Sequence, residues 1–384
     1  MTPQPIELLQ TLVRIDSTTP GLLRGPDGRE GGELPLARWL EKYLSAAGYA
    51  VELQFVTPAR PNLLARLDAH PGAPTLAFEA HMDTVGVEGM AIPPFAAEVR
   101  DGRLYGRGAC DTKGSMAAML AALRRLRTPQ RPLNLMFIAS CAEETGCEGA
   151  AHIDFHGRPP DAIVVGEPTA NRCIVAHKGA YWITLACRGK AAHGSRPADG
   201  DNAIYKMLDA VHYIRSRMAP AFASHVSAGF SGSTIGVNCI QGGVKANIIP
   251  DYCTATLDAR IVPDVASAWS AQSLVAEIAA GAGVAVELAD GQWSPALVRN
   301  PHSRILPALS AAVADAGGNG EPGVVEYCTD AGVFAHQGID SVVFGPGHIA
   351  QAHGAVEFVR VDEVCQAADI LVDTAEHFAR TART

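Results

Sequence analysis

Glu143 and Glu144 are adjacent, and two residues separate them from the end of the apolar run LNLMFIAS at positions 133–140. A nearly continuous apolar run is typical of a strand that is covered on both faces. Adjacent carboxylates at such a point repel each other and resist desolvation, so a positive charge is expected beside them. The alternative is a solvated loop, because charged residues are mostly exposed.

Other carboxylates and imidazoles stand at similar points of the sequence. His81 and Asp83 are two apart in EAHMDTV, and this spacing predicts that they share one face of a strand. Asp111 in GRGACDTKG is expected at the start of a helix, whereas Glu167 in VGEPT and His353 in AHGAVEF follow predicted strands. Ligands collect at the carboxyl ends of strands in open α/β sheets, so we expect these side chains at one sheet edge.

This set of side chains suits metal chemistry. Two imidazoles with several carboxylates and no thiolate favour a borderline ion such as zinc, and the donors are too many for one four-coordinate ion. Two ions that share one carboxylate would use them all. One of the paired glutamates can then bind metal while its neighbour acts as general base. Taken singly, His81 is more typical of a hydrogen-bonded strand histidine, and Asp111 of a helix N-cap.

Composition excludes several classes of function. The chain has 384 residues, enough for two domains or for one domain with an insertion. Its net charge of −9, from 31 basic and 40 acidic residues, argues against nucleic acid or an anionic membrane as partner. The first residues lack the features of a signal peptide, and the nine cysteines include no C-x-x-C pair. We therefore expect a reduced, cytoplasmic protein that binds small molecules.

The order of predicted elements indicates an insertion. Residues 1–178 and 291–384 alternate strands and helices, which predicts an α/β domain with a largely parallel sheet between layers of helices. Residues 179–290 follow the order β-α-β-β-α-β, which predicts a small ferredoxin-like domain.

A series of motifs resembles the M20 metallopeptidase family over nearly the whole chain. In order, the motifs are HMDTV, DGRLYGRGACDTKGSMAA, EETG, GEPT, GGVKANIIPD, TDAGVFAHQGIDSVVFGPG and AHGAVEF. This family includes acetylornithine deacetylase, succinyl-diaminopimelate desuccinylase, aminoacylases and glutamate carboxypeptidases. The resemblance implies a di-zinc aminopeptidase-like catalytic domain and an inserted domain used for closure and dimerisation.

The resemblance also implies a role for each matching residue. Asp111 would bridge two zinc ions, with His81 and Glu167 on one ion and Glu144 and His353 on the other. Glu143 would be the general base, and Asp83 would orient His81. In the insertion, His193 and Asn247 would meet the substrate carbonyl, and Arg260 the substrate carboxylate.

The sequence leaves some alternatives open. His348 competes with His353 as ligand, although the context AHGAVEF favours His353. His193 could be a solvated loop residue, and Arg260 could pair with Asp258 on the same strand face. Thr112 departs from the methionine or aspartate that many members carry there, which bears on fine geometry and substrate fit.

The expected reaction is hydrolysis of an N-acyl amino acid, as in the deacetylase and desuccinylase branch, by a homodimer with two Zn²⁺ per subunit. Co²⁺ or Mn²⁺ could replace zinc. A dipeptidase or carboxypeptidase is the alternative, because its chemistry is identical and only the substrate pocket differs. A metal-free binding protein of the same fold is a further alternative, but it would not need the complete ligand set.

Overall fold

The computed structural model describes residues 5–19, 32–68, 71–127 and 132–381. They form two compact units. The first contains the chain up to Val175, Arg299–Gly323 and the chain from Thr329 onward, and the second contains Ala176–Val298 and Val324–Cys328. Among the helices in these ranges, none has both the length and the apolar character that crossing a membrane requires.

The strands are β1 (Ala50–Thr57), β2 (Arg60–Leu67), β3 (Thr75–Glu79), β4 (Glu98–Arg100), β5 (Arg103–Tyr105), β6 (Asn134–Ala139), β7 (Ala162–Val165), β8 (Ile174–His177), β9 (Gly179–Arg188), β10 (Ala192–His193), β11 (Thr234–Gly242), β12 (Ile248–Ile249), β13 (Tyr252–Ile261), β14 (Glu287–Ser294), β15 (Gly323–Val325), β16 (Asp340–Val343) and β17 (Phe358–Arg360). The α-helices are α1 (Pro5–Arg14), α2 (Leu34–Ala46), α3 (Lys113–Leu126), α4 (Glu148–Ala151), α5 (Ala203–Tyr213), α6 (Ala219–Ala223), α7 (Pro263–Ala266), α8 (Ala271–Ala282), α9 (Ile305–Asp315), α10 (Asp330–His336) and α11 (Val361–Thr381).

An eight-stranded sheet in the order β1-β2-β6-β3-β7-β16-β8-β15 organises the first unit. Its central strands β6, β3, β7 and β16 are parallel, whereas β1, β2 and β8 pair antiparallel with their neighbours. Every residue of β6 and β7 is buried, as expected for strands covered on both faces. The prediction of an α/β domain with a largely parallel sheet is therefore confirmed.

Helices cover both faces of this sheet. Phe78 of β3 and Phe137 of β6 pack in one core with the apolar residues of α1, α2, α3, α9 and α11. Helices α4 and α10 contact β2, β7 and β16, and they contribute nothing to that core. Successive strand residues point to opposite faces, so the buried neighbours Met136 and Ile138 face away from the Phe137 side. The central strands are therefore buried on both faces of the sheet.

The second unit contains a four-stranded antiparallel sheet in the order β11-β13-β9-β14. Helices α5 and α8 pack on each other and on this sheet, and their apolar residues share one core with β9 and β13. Along the chain, the long elements of this unit come in the order β9, α5, β11, β13, α8 and β14. A ferredoxin-like fold for the insertion stays a prediction. Strand β14 runs to Ser294 and the unit to Val298. The predicted domain limits at residues 179 and 290 stay a prediction.

One local prediction was wrong. His81 and Asp83 were expected within a strand, but β3 ends at Glu79. The neighbouring strand β7 ends level with it, because Glu79 pairs with Val165, the last residue of β7. The chain continues extended on the other side, where the N–H groups of Ala80 and Met82 donate to carbonyl oxygens of Ile138 and Ser140. His81 and Asp83 therefore lie on a segment that is hydrogen-bonded to the chain after β6 on one side and, among the described residues, has no paired strand on the β7 side.

Candidate metal centre

The carboxylate of Asp111 lies between two imidazoles. Its Oδ1 is 3.1 Å from His81 Nε2, and its Oδ2 is 3.3 Å from His353 Nε2. Asp111 is nearly buried, two residues before α3, close to the predicted start of a helix. Each carboxylate oxygen therefore faces a different histidine, which is the arrangement that a bridging ligand needs.

Two glutamates complete the two sides of Asp111. Glu167 Oε1 is 3.8 Å from His81 Nε2, and Glu144 Oε1 is 3.0 Å from His353 Nε2. Donor atoms of His81, Asp111 and Glu144 all lie within 4.8 Å of one another. The structure thus brings the five predicted ligands together, with Glu167 near His81 and Glu144 near His353, as the family resemblance implies. Their binding of metal stays a prediction.

Backbone hydrogen bonds to Glu357 hold Asp111 in position. The N–H groups of Cys110 and Asp111 donate to Glu357 Oε1 at 3.0 and 3.1 Å, and Arg107 Nη1 donates to Glu357 Oε2 at 2.6 Å. The hydroxyl of Thr112 donates to the carbonyl oxygen of Gly166, the residue before Glu167. A hydrogen bond therefore connects the turn that carries Asp111 directly to the turn that carries Glu167.

Asp83 contacts His81 and also the paired glutamates. His81 Nδ1 is 2.9 Å from the Asp83 carbonyl oxygen and 3.5 Å from Asp83 Oδ1. A carbonyl oxygen only accepts hydrogen bonds, so Nδ1 carries a proton and Nε2 is the nitrogen that can bind metal. The Asp83 carboxylate accepts the backbone N–H groups of Glu143 and Glu144 at 3.1 and 3.2 Å. Asp83 therefore connects the two halves of the site.

The electrostatics of the site favour a cation. Burial raises the pKa of Glu144 and Glu167, and the neighbouring charge of Asp111 raises it further. Hydrogen bonds to Asp111 and Glu144 raise the pKa of His353 to about 10. The same imidazole nitrogens attract protons and divalent cations, so carboxylates that stabilise an imidazolium also favour a bound metal ion.

Glu143 occupies a different environment from its neighbour. Burial raises its pKa well above the usual range, and the charges of Glu167 and Glu144 act in the same direction although His81 opposes them. Cys147 donates a weak hydrogen bond to Glu143 Oε1, with the sulfur 3.7 Å away. A carboxyl group with a raised pKa holds a proton more readily, which suits a group that must accept and return one.

The structure distinguishes His353 from His348. His353 Nε2 contacts both Asp111 and Glu144, whereas His348 Nδ1 accepts the backbone N–H of Ala350 and caps a short 3-10 helix. The geometry therefore favours His353 as the ligand.

The predicted substrate residues belong to the second unit. His193 lies on β10, and its Nδ1 is 2.7 Å from the Ser195 hydroxyl. Asn247 stands just before β12, and its carbonyl oxygen accepts the N–H of Gly194, so His193 and Asn247 lie in one small two-stranded ribbon. Arg260 on β13 pairs with Asp258 through two hydrogen bonds of 2.7 and 3.0 Å, which is the alternative that the sequence left open.

Sequence reasoning missed the residues that support the site. Glu33, Arg60 and Asn62 contact the turn of the paired glutamates, and Glu357 contacts the backbone of Asp111. The sequence did point to Asn62. It is the polar residue of the run NLLA, which is otherwise apolar and forms part of the buried stretch of β2. A polar side chain in such a strand requires hydrogen-bond partners.

Comparison with known proteins identifies the family. The model of peptidase family M20/M25/M40 matches residues 77–377. Acetylornithine deacetylase from Myxococcus xanthus is 31% identical over 362 residues, covering 90% of this chain and 92% of the relative. A probable succinyl-diaminopimelate desuccinylase from Staphylococcus epidermidis is 29% identical over 388 residues, covering 89% of this chain and 92% of the relative.

Solved structures share the fold. A tripeptidase from Staphylococcus aureus superposes with a TM-score of 0.78 at 22% identity, covering 98% of each chain. A dinuclear metal-binding peptidase of the M20 family from Bacillus subtilis superposes with a TM-score of 0.66 at 18% identity, covering 99% of this chain and 98% of the other. The family model covers most of the chain and one relative is 31% identical, so these two findings establish the family. The solved structures add that the fold is shared. The chain therefore belongs to peptidase family M20/M25/M40.

Proposed function

We propose that this protein is a two-metal amidohydrolase that cleaves the amide bond of an N-acyl amino acid. The observation that supports the proposal most directly is the position of Asp111, whose two carboxylate oxygens each face one imidazole. Family membership supports a metal-dependent amide hydrolase, and the names of the relatives support an acyl amino acid as substrate.

The donor set fits borderline divalent ions. His81, Glu167 and one oxygen of Asp111 would hold one ion, and His353, Glu144 and the other oxygen would hold the second. We propose zinc, with cobalt or manganese as possible replacements. When bound, such ions would polarise the acyl carbonyl and lower the pKa of a water molecule.

The remaining steps depend on the protein's own side chains. Glu143 accepts a proton from the water as the water oxygen adds to the acyl carbonyl carbon. His193 donates a hydrogen bond to the resulting oxyanion, and Asn247 contacts the same oxygen. Glu143 then gives its proton to the amide nitrogen as the C–N bond breaks, releasing a carboxylate and a free amino acid. Arg260 binds the substrate carboxylate, which must compete with Asp258 for the guanidinium.

The leading substrate is an N-acetylated or N-succinylated basic amino acid. The test is to incubate the zinc-loaded protein with N-acetyl amino acids, N-succinyl amino acids and dipeptides, and to measure the amine released. We expect release from one acyl amino acid, abolished by a chelator and restored by added Zn²⁺. Release from dipeptides alone would establish the dipeptidase alternative, and zinc binding without any turnover would overturn the proposed substrate class.

We also propose a cytoplasmic homodimer. The nine cysteines all lie in the described ranges and are free thiols, which suits a reducing compartment. Strand β11 is an edge of the four-stranded sheet, and edge strands offer unpaired backbone groups to a partner. Exposed apolar residues lie on β11 and on the adjoining α5, with Ile240 50% exposed and Tyr205 67% exposed. The proposed interface consists of this edge and this helix.

Ile240→Asp should weaken the dimer at least about tenfold, because a carboxylate in an apolar interface is desolvated without a partner. Light scattering over a concentration series measures the change. Val226→Asp is the matched control, since Val226 is 68% exposed in the same unit but lies outside β11 and α5. Equal dissociation of both variants, or a monomeric parent protein, would contradict this interface.

A further inference from the structure

The turn that carries the two glutamates is held by side chains from three distant segments. The backbone N–H groups of four consecutive residues each donate to a buried side-chain oxygen. The four bonds are Cys141 to Asn62 Oδ1 at 3.0 Å, Ala142 to Glu33 Oε1 at 3.1 Å, Glu143 to Asp83 Oδ1 at 3.1 Å and Glu144 to Asp83 Oδ2 at 3.2 Å. The path of the backbone through Glu143 and Glu144 is thus specified residue by residue.

Arg60 joins the two acidic members of this group. Its Nε lies 3.0 and 3.2 Å from the two carboxylate oxygens of Glu33, and its Nη2 lies 2.7 Å from Glu33 Oε1. The same Nη2 is 3.5 Å from Asp83 Oδ2, and Nη1 is 3.4 Å from the hydroxyl of Thr145. The side chains of Glu33 and Asp83 are 0% exposed, and that of Arg60 is 13% exposed. Arg60 therefore places one positive charge beside two buried carboxylates whose negative charges repel each other.

The side chain of Glu33 does not cap helix α2, although Glu33 precedes the first residue of that helix and occupies its N-cap position. Both carboxylate oxygens bind Arg60, and one of them also accepts the N–H of Ala142. Ala142 has φ of 59°, a left-handed conformation that non-glycine residues rarely adopt. The bond to Glu33 therefore supports the residue at which the backbone turns toward Glu143.

We propose that Arg60 and Glu33 are positioning residues for the catalytic pair Glu143 and Glu144. Arg60 neutralises Glu33 and Asp83, so that both carboxylates stay available to the N–H groups of the turn. This fixes Glu143 as the group that exchanges the proton and Glu144 as the group beside His353. The inference depends on the proposed function for the roles of the two glutamates, but the contacts themselves do not depend on the substrate.

The test compares Arg60→Met, Arg60→Lys and Glu33→Gln with the parent protein. We expect Arg60→Met to lower kcat about 100-fold with KM changed less than about threefold, because a displacement near 1 Å at the reacting groups costs about that factor. Zinc affinity of the apoprotein, measured by calorimetric titration, should fall about 10- to 100-fold, as it does when outer partners of metal ligands are lost. Arg60→Lys keeps the charge but not the paired hydrogen bonds, so it should restore part of both losses.

Arg66→Met is the matched control. Arg66 lies on the same strand β2, is 15% exposed and donates to the carbonyl oxygen of Arg158, away from the glutamate turn. If Arg60→Met does not fold, kcat and zinc affinity can still be compared with the parent protein for Arg60→Lys and Glu33→Gln, which change the side chain less. Unchanged kcat and zinc affinity in folded Arg60 and Glu33 variants would overturn the inference. A parent protein that binds zinc but cleaves no substrate would contradict the proposed function, while the zinc titration would still test the role of Arg60.

Discussion

Glu143→Gln should lower kcat by about 10²- to 10⁴-fold, the range that general acid–base catalysis contributes. Glutamine matches glutamate in shape, but it cannot take the proton from water or return it to the leaving nitrogen. The backbone N–H of Glu143 would still donate to Asp83 Oδ1, so the turn should keep its conformation. The amount of metal bound per protein molecule should stay close to that of the parent protein, because the contacts of Asp111 with His81 and His353 do not involve Glu143.

The measurement pairs steady-state kinetics with metal analysis of the same preparation. Glu148→Gln is the control, since Glu148 is an exposed glutamate at the start of α4 in the same segment. Its kinetics should match those of the parent. Turnover of Glu143→Gln within a few-fold of the parent, at equal metal content, would exclude Glu143 as the general base.

Asp111→Asn should reduce metal affinity by more than about 100-fold, which exceeds the loss expected for an outer partner. Asn keeps the size of the side chain and can still form hydrogen bonds, but it removes the negative charge on which both sides of the site depend. Although burial favours the neutral acid, hydrogen bonds from His353 and His81 hold the pKa of Asp111 below its usual value, so this carboxylate is charged. Catalytic activity should fall in parallel with the amount of bound metal.

Thermal unfolding with and without zinc provides a readout apart from activity. A ligand at 100 times its dissociation constant stabilises the folded state by about 2.7 kcal/mol, so zinc should raise the melting temperature of the parent protein. This rise should be largely absent in Asp111→Asn. Asp101→Asn is the control, because Asp101 is exposed in the turn before β5 with φ of 49°, a conformation that asparagine tolerates. If zinc stabilised all three proteins equally, Asp111 would not bind metal.

The sequence was sufficient for features that depend on neighbouring residues. The apolar runs of β6 and β7 and the helical spacing of α3 are local patterns, and the structure has strands and a helix at these positions. The ordered motifs were sufficient for the family, which the family model over residues 77–377 confirms. The pairing of Arg260 with Asp258 could also be anticipated, since residues two apart on a strand share a face.

Predicted limits were less accurate where neighbouring strands decide them. Strand β3 ends at Glu79 because its partner β7 ends at the paired residue Val165, and no property of the run TLAFEAHMDTV contains that information. Strand length is a property of the sheet as well as of the segment.

The amino-acid sequence by itself therefore determined the family, the alternation of elements and the types of side chain that reach the site. Only the tertiary structure decided which oxygen of Asp111 faces which histidine and which residues hold the glutamate turn. Arg60 is separated by 27 positions from Glu33 and by 85 from Thr145, yet its guanidinium contacts both. Hydrophobic periodicity reports on one element at a time, whereas these contacts arise from the packing of segments that are distant in the chain.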